Sequence, residues 1–177
     1  MSPTTCTARA PIQAPRAYVE HFAHVADPEQ RVYFAMVAAL DDAVGEILRA
    51  LDTAGVADDT LVVFLSDNGA ASYTGSVDNA PLKGGKLTNF EGGVNVPFVM
   101  RWPGQVPADA TYARPVSTLD VFMTIAQAAG VVLPTDRPYD GVDLIPYVRG
   151  AVQTDPHDAL FWRAQGHRAI RVGRYKL

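Results

Sequence analysis

The sequence has little cysteine, no excess of basic charge and no long apolar run. Among its 177 residues Cys6 is the only cysteine, so no disulfide can form within the chain. The net charge of −4 provides no basic face of the kind that nucleic-acid binding requires. No apolar run approaches the roughly 20 residues that cross a membrane, and the first ten residues lack the apolar core of a signal peptide. We therefore expect a globular protein that binds no nucleic acid and has no membrane-spanning segment.

A short apolar run with a polar end organises the rest of the chain. Residues 61–66, L-V-V-F-L-S, begin with five strong strand formers, which suits a strand covered on both faces in a parallel sheet. S-D-N-G follows at residues 66–69, and ligands of open α/β sheets bind beyond the carboxyl ends of the strands. Asp67 and Asn68 offer hard oxygen ligands there, which suit Ca²⁺ or Mg²⁺. The alternative is an ordinary strand-ending turn.

A glycine-rich loop leads from this turn to a second strand. Residues 79–93 read N-A-P-L-K-G-G-K-L-T-N-F-E-G-G, with a lysine on each side of the first glycine pair. Paired glycines let the backbone approach a ligand closely, and a lysine supplies a point charge for an oxyanion. We expect Leu82 to anchor the loop, Lys83 to point into solvent and Lys86 to point inward. Residues 96–101 read as a second buried strand, which we predict to lie beside the first and parallel to it.

Helices should flank these strands. Asp27 suits the cap and Pro28 the first turn of a helix over residues 28–54. Asp41 and Asp42 are interpreted as solvated or hydrogen-bonded carboxylates beside its apolar stripe. We expect the stripe to pack on the sheet. It comprises Tyr33, Met36, Val37, Leu40, Val44, Ile47, Leu48 and Leu51.

The second half of the chain carries fewer signals. Another helix should begin near Ser117, with Asp120 three residues later in a relative of the capping box, and stop at Gly130. His157 and His167 are interpreted as surface residues, because no clustered partners accompany them.

The order of these motifs resembles the sulfatases of the alkaline phosphatase superfamily. Their pattern is S/T-D-N-G, then G-K-x-x-x-x-E-G-G and V-P, and residues 66–69, 85–93 and 96–97 match it in type and spacing. The resemblance implies an incomplete alkaline-phosphatase-like α/β fold, a mostly parallel sheet flanked by helices, over residues 1–150. Residues 151–177 would be the truncated start of a small C-terminal β subdomain, ending in a strand that lacks its hairpin partner.

The resemblance also implies site residues. Asp67 and Asn68 would coordinate Ca²⁺, and Lys86 would bridge the sulfate to the oxygen of the nucleophile. Glu91 is interpreted as a loop-bracing salt-bridge partner rather than a chemical participant. P-I-Q-A-P at residues 11–15 resembles an element of arylsulfatase B-like sulfatases, in which a histidine two residues upstream binds or protonates the ester. Arg9 stands at that place and could bind sulfate, but it cannot act as a general acid near neutral pH.

The nucleophile motif of that family is missing. Sulfatases carry C/S-x-P/A-S-R, whose first residue is oxidised to formylglycine, whereas T-A-R-A follows Cys6. The resemblance therefore implies the latter portion of an arylsulfatase-type hydrolase of aryl or carbohydrate sulfate esters, inactive by itself. By the same resemblance we expect a periplasmic, extracellular or lysosomal-type protein. Two alternatives stay open: a phosphodiesterase or phosphonate hydrolase of the same superfamily, and a non-catalytic lobe.

Overall fold

The computed structural model describes residues 12–164 and 166–177, so Cys6 and Arg9 lie outside the described residues. The helices are α1 Arg16–His21, α2 Pro28–Thr53, α3 Glu91–Val94, α4 Leu119–Ala128 and α5 Ile145–Val148. The strands are β1 Val62–Leu65, β2 Phe98–Arg101, β3 Ala159–Ala164, β4 His167–Val172 and β5 Tyr175–Lys176. Short 3₁₀ turns cover Ala57–Asp59 and Ser72–Thr74. Within these ranges no helix combines the length and hydropathy of a membrane-crossing segment.

The long helix α2 begins as the sequence predicts. The Asp27 carboxylate accepts a hydrogen bond from the backbone N–H of Gln30 at 2.8 Å, and Pro28 occupies the first turn. The Asp42 carboxylate accepts a hydrogen bond from the Tyr18 hydroxyl at 2.7 Å. Both the cap and the interpretation of Asp42 as a hydrogen-bonded surface carboxylate are confirmed.

The packing of α2 differs from the prediction. The helix packs principally against α1 and the Ala57–Asp59 turn. Val37 and Ile47 of the apolar stripe are exposed, so the expectation that the whole stripe packs on the sheet is wrong. The reason is length, because a helix of 26 residues is far longer than the four-residue strands β1 and β2.

The two predicted strands are neighbours, but they are antiparallel. β1 pairs with β2 in a register that places Leu65 opposite Phe98, so the predicted parallel arrangement is wrong. A parallel pair needs a crossover that carries the chain back to the other end of the sheet. Here the chain returns directly, and the backbone N–H of Ser66 donates to the carbonyl of Pro97 at 3.1 Å. An uninterrupted apolar run does not distinguish between the two directions.

The C-terminal residues form a three-stranded antiparallel sheet in the order β3-β4-β5. The predicted lone strand is therefore wrong, because its partner β3 precedes it in the chain. Gly166 and Gly173, with φ of 86° and 54°, occupy the two connecting turns, where a left-handed backbone favours glycine. The chain does enter a small β-sheet here, while the domain division at residue 150 stays a prediction.

Candidate functional site

A cleft of about 720 Å³ opens where three parts of the chain meet. The first, the loop wall, is the segment 66–97 between β1 and β2, which contributes Asp67, Asn68 and Lys86. The second, the middle wall, is residues 112–118, and the third is β3. Because β1 and β2 are antiparallel, both ends of the loop wall lie at the same end of this strand pair.

The structure brings the three predicted site residues of the described chain to this one cleft. The backbone N–H of Lys86 donates to the carbonyl of Ala70 at 3.0 Å, which ties the lysine to the residue that follows S-D-N-G. Among the described residues, no hydrogen bond or ion pair engages the side chains of Asp67, Asn68 and Lys86. A carboxylate, an amide and an ammonium group without protein partners are available to a ligand.

The two lysines of the glycine-rich loop have different surroundings. Lys83 is exposed, and its Nζ lies 4.3 Å from the centroid of the Phe90 ring. It lies outside the described lining of the cleft, whereas Lys86 is half-buried and belongs to it. The outward position predicted for Lys83 is confirmed, and the ligand role of Lys86 stays a prediction.

The glycines of the loop wall serve the packing of the backbone on itself. A Cβ at Gly69 would overlap the Gly92 carbonyl, and a Cβ at Gly93 would overlap the Thr88 carbonyl. The N–H of Gly69 also donates to the carbonyl of Gly93 at 3.0 Å. The expected close approach of backbone therefore takes place between two parts of the protein, and these contacts do not involve a ligand.

Sequence reasoning missed Asn79, whose side-chain amide joins two parts of the loop wall, at Ala70 and at Gly84. Its Oδ1 accepts from the backbone N–H of Ala70 at 2.9 Å, and its Nδ2 donates to the carbonyls of Ala70 and Gly84, each at 3.1 Å. An asparagine ahead of Ala-Pro resembles any turn residue. The sequence therefore offers no local signal for this role.

A buried carboxylate positions the middle wall. Asp120 is 0% exposed, and it accepts hydrogen bonds from the backbone N–H groups of Ser117 at 2.7 Å and Val142 at 2.9 Å. His157 Nε2 lies 2.9 and 3.0 Å from its two oxygens. The predicted pairing of Ser117 with Asp120 is confirmed. The interpretation of His157 as a surface residue is wrong, since its side chain is only 11% exposed, whereas His167 is exposed as predicted.

Ion pairs connect the loop wall to the C-terminal sheet. Glu91 accepts a hydrogen bond from Lys176 Nζ at 2.8 Å and lies 3.9 Å from Arg171. The Lys176 ammonium also lies 4.5 Å from the centroid of the Trp162 ring in β3. Glu91 does form a bracing salt bridge, as predicted, but its partners come from the other sheet. No motif in the sequence points to β3 or to residues 112–118 as cleft walls.

The lining of the cleft is rich in cations. Arg114, Arg163 and Arg171 join Lys86 there, and Arg114 pairs with Asp155 at 2.8 Å. The hydroxyl of Tyr112 is buried and finds no hydrogen-bond partner among the described residues. Burial raises the pKa of Tyr112, while the Arg114 cation opposes that shift. The cations of the lining favour an anion in this cleft.

The side-chain oxygens of Asp67 and Asn68 are of the type that a hard cation binds, but two residues are too few to complete its coordination. Their carboxylate and amide oxygens are ligands that Ca²⁺ accepts, yet Ca²⁺ takes about six to eight oxygens. Among the described residues, no group of three or more His, Cys, Asp or Glu side chains could hold a metal ion. These two residues would therefore supply part of a calcium site, and Arg9, the other predicted sulfate ligand, lies outside the described residues.

Comparison with known proteins decides the family. The model of the Sulfatase family matches residues 8–131. This chain belongs to the sulfatase family. It is 42% identical over 156 residues to steryl-sulfatase of Mus musculus, covering 80% of the chain and 25% of that protein. It is 37% identical over 147 residues to N-acetylgalactosamine-6-sulfatase of Canis lupus familiaris, covering 81% and 28%. The chain thus spans about a quarter of the length of these relatives.

Solved structures agree on the fold. Ps i-CgsB in complex with k-i-k-neocarrahexaose superposes with a TM-score of 0.84 at 32% identity, covering 99% of this chain and 38% of that chain. The PsFucS1 sulfatase from Pseudoalteromonas sp. gives 0.72 at 30% identity, covering 82% and 30%. The predicted alkaline-phosphatase-like fold is confirmed as a partial α/β unit, although the strand pairs within the described residues are antiparallel.

Proposed function

We propose that this chain supplies one side of the active site of a sulfuric ester hydrolase. Lys86 binds the sulfate group, and Asp67 and Asn68 bind a calcium ion. The observation that carries the proposal is the shared position of these side chains. In a chain of the sulfatase family, all three line one cleft without a partner among the described residues.

Lys86 suits the binding of a developing negative charge. Its backbone is tied to Ala70, so the point from which the side chain extends into the cleft is fixed before a ligand arrives. Glu91 is engaged by Lys176 and Arg171, and this leaves the charge of Lys86 without a competing carboxylate from that residue. A positive charge at this place contributes most where negative charge grows in the transition state.

Asp67 and Asn68 would hold part of the coordination sphere of Ca²⁺. When bound, the ion would polarise the oxygens of the ester. These residues supply binding and charge stabilisation but no nucleophile. The isolated chain is therefore expected not to hydrolyse an aryl sulfate, because one side of a catalytic site cannot position the ester for attack.

The substrate we propose is an aryl or carbohydrate sulfate. The cleft of about 720 Å³ has room for much more than a sulfate ion, and its lining includes Arg114, Arg163 and Arg171. Ps i-CgsB, which shares the fold over 99% of this chain, is described in complex with a neocarrahexaose. The relatives named above are sulfatases, which favours a sulfur centre over a phosphorus centre. The periplasmic, extracellular or lysosomal-type location stays a prediction.

A chimera tests this proposal. This chain replaces its matching segment in the PsFucS1 sulfatase, and hydrolysis of the sulfate ester of the parent enzyme is measured. We expect activity in the chimera. Lys86→Ala should lower kcat/KM at least about a hundredfold, the usual loss for one preorganised donor. Lys83→Ala is the matched control, and it should change kcat/KM little because Lys83 lies outside the described lining.

Two results would contradict the proposal. The first is a chimera that unfolds cooperatively like its parent but does not hydrolyse the ester. The second is an equal effect of the two lysine substitutions. A measurement on the isolated chain covers the case of a chimera that does not fold. Inorganic sulfate is titrated while the NMR signals of both lysines are followed, and signals of Lys86 that do not move, or move no more than those of Lys83, would also refute it.

A further inference from the structure

We propose that Asn79 is a positioning residue, which fixes Lys86 relative to Asp67 and Asn68 through its side-chain amide. The three hydrogen bonds of the Asn79 side chain form what we call the brace, and their geometry does not depend on any reaction. Its importance for sulfate binding rests on the proposed function, because that function gives Lys86 a ligand.

The amide of Asn79 forms hydrogen bonds to the backbone at two places in the loop wall, Ala70 and Gly84. It pairs with the N–H and the carbonyl of Ala70, the residue directly after S-D-N-G. It also donates to the carbonyl of Gly84, two residues before Lys86. The Ala70 carbonyl accepts a further hydrogen bond from the N–H of Lys86. Asn79 and Lys86 are thus held by the same peptide group.

This set of contacts demands a primary amide. One acceptor must face an N–H group while donors face two carbonyls, and asparagine carries both functions on a planar group of the right reach. An aspartate would keep the acceptor and turn a negative charge toward the two carbonyls. Gly85 leaves room for the amide, since a Cβ there would overlap both Asn79 Nδ2 and the Ala70 carbonyl.

The backbone beside Lys86 shows that the loop is held in place by its surroundings. Leu87 has a φ of 74°, a conformation that a leucine rarely adopts without constraint. The hydroxyl of Thr88 donates to the carbonyl of Gly85 at 2.7 Å on the far side of the strained residue. Asn79 acts on the near side through Gly84. Loss of the amide would let the strained segment relax and shift Lys86.

Amide hydrogen exchange on the full chain tests the brace without any assay of activity. Asn79→Ala should speed exchange of the Ala70 and Lys86 amides at least about tenfold, the effect of losing roughly one hydrogen bond. Thr124→Val is the control for general destabilisation. It removes the buried acceptor of the Leu144 N–H, which lies away from the loop wall. At matched global stability it should leave both amides protected.

A second variant separates the two ends of the amide. Asn79→Asp keeps the acceptor for the Ala70 N–H but loses the donors to the two carbonyls. We expect the Ala70 amide to stay protected and the Lys86 amide to lose its protection. Unchanged exchange at Lys86 in both Asn79 variants would overturn the proposal. An equal loss of protection in Thr124→Val would also overturn it.

Sulfate titration and activity then distinguish the two proposals. Asn79→Ala should weaken the sulfate-induced shift of the Lys86 signals and lower kcat/KM of the chimera at least about tenfold. If exchange changes as expected while Lys86→Ala leaves turnover intact, the proposed function fails and the brace stands. If Lys86→Ala abolishes turnover while Asn79→Ala changes neither exchange nor kcat/KM, the brace fails and the proposed function stands.

Discussion

Two walls of the cleft are held by different means. The loop wall is held by backbone packing at its glycines and by the amide of Asn79, all within residues 66–97. The middle wall depends on Asp120, which bonds the nearby Ser117 and also Val142 and His157, 22 and 37 residues away. The glycines of the loop wall form a compact motif in the sequence. Contacts over 22 and 37 residues leave no such motif.

The largest effect should come from breaking the middle wall. Asp120→Ala leaves two backbone N–H groups without their acceptor and His157 without its hydrogen-bond partner in the protein interior. We expect the free energy of unfolding to fall by at least about 3 kcal/mol. Urea unfolding measures the loss, and Asp140→Ala at an exposed position is the control. Equal losses in both variants would show that Asp120 does not hold this wall.

A smaller effect should follow from adding a methyl group where the backbone of the loop wall is closely packed. Gly69→Ala adds a Cβ that overlaps the Gly92 carbonyl, so one of the two backbones must move. We expect a loss of about 1–3 kcal/mol in the free energy of unfolding.

Gly45→Ala is the matched control for that substitution. Its Cβ meets only the flexible end of Arg49 within α2. It should stabilise the protein by about 0.5–1 kcal/mol, because alanine favours a helix interior. If Gly69→Ala were as harmless as Gly45→Ala, the loop wall would not be packed backbone on backbone.

The connection between the loop wall and the C-terminal sheet should contribute less. Glu91→Gln removes the charge that pairs with Lys176, and the pair is partly open to solvent. We expect a loss of less than about 1 kcal/mol that shrinks further in high salt. Arg16→Gln, at an exposed pair within α1, gives the baseline for a solvated ion pair. If the loss were larger and salt did not reduce it, the ion pair of Glu91 and Lys176 would stabilise the protein as a buried interaction does, like the contacts of Asp120.

The smallest effect should come from calcium. Asp67 and Asn68 are two ligands of an ion that takes about six to eight. We therefore expect calorimetry on the isolated chain to show no binding tighter than roughly millimolar. Addition of Ca²⁺ at about 1 mM should then raise the free energy of unfolding by no more than about 0.4 kcal/mol. Micromolar binding would mean that the loop wall forms a calcium site by itself.

The comparison of the walls explains how much the sequence predicts. Asp67, Asn68 and Lys86 could be named because their residue types and spacing form one continuous pattern within a single loop. The outward position of Lys83 and the cap of α2 at Asp27 follow from rules that act over a few residues. All of these signals are local.

What the sequence did not predict depends on contacts between distant residues or on hydrogen bonds from a side chain to the backbone. The direction of β2 relative to β1 is set by the path of the loop between them, and the composition of neither strand records that path. His157 finds its partner 37 residues away, so no spacing rule marks it as buried. The oxygen and the nitrogen of the Asn79 amide form hydrogen bonds to backbone groups. Nearly all residue types carry the same backbone groups, so the sequence does not mark these partners.

The antiparallel pairing of β1 and β2 has a consequence for how this family could diversify. Leu65 and Phe98 are directly opposite each other, so the whole loop wall leaves and re-enters the sheet through two points about 5 Å apart. A segment with such closely spaced ends, and with its own internal bracing, behaves as an exchangeable cassette. It could be transplanted or lengthened between related proteins while the strands beneath it keep their register.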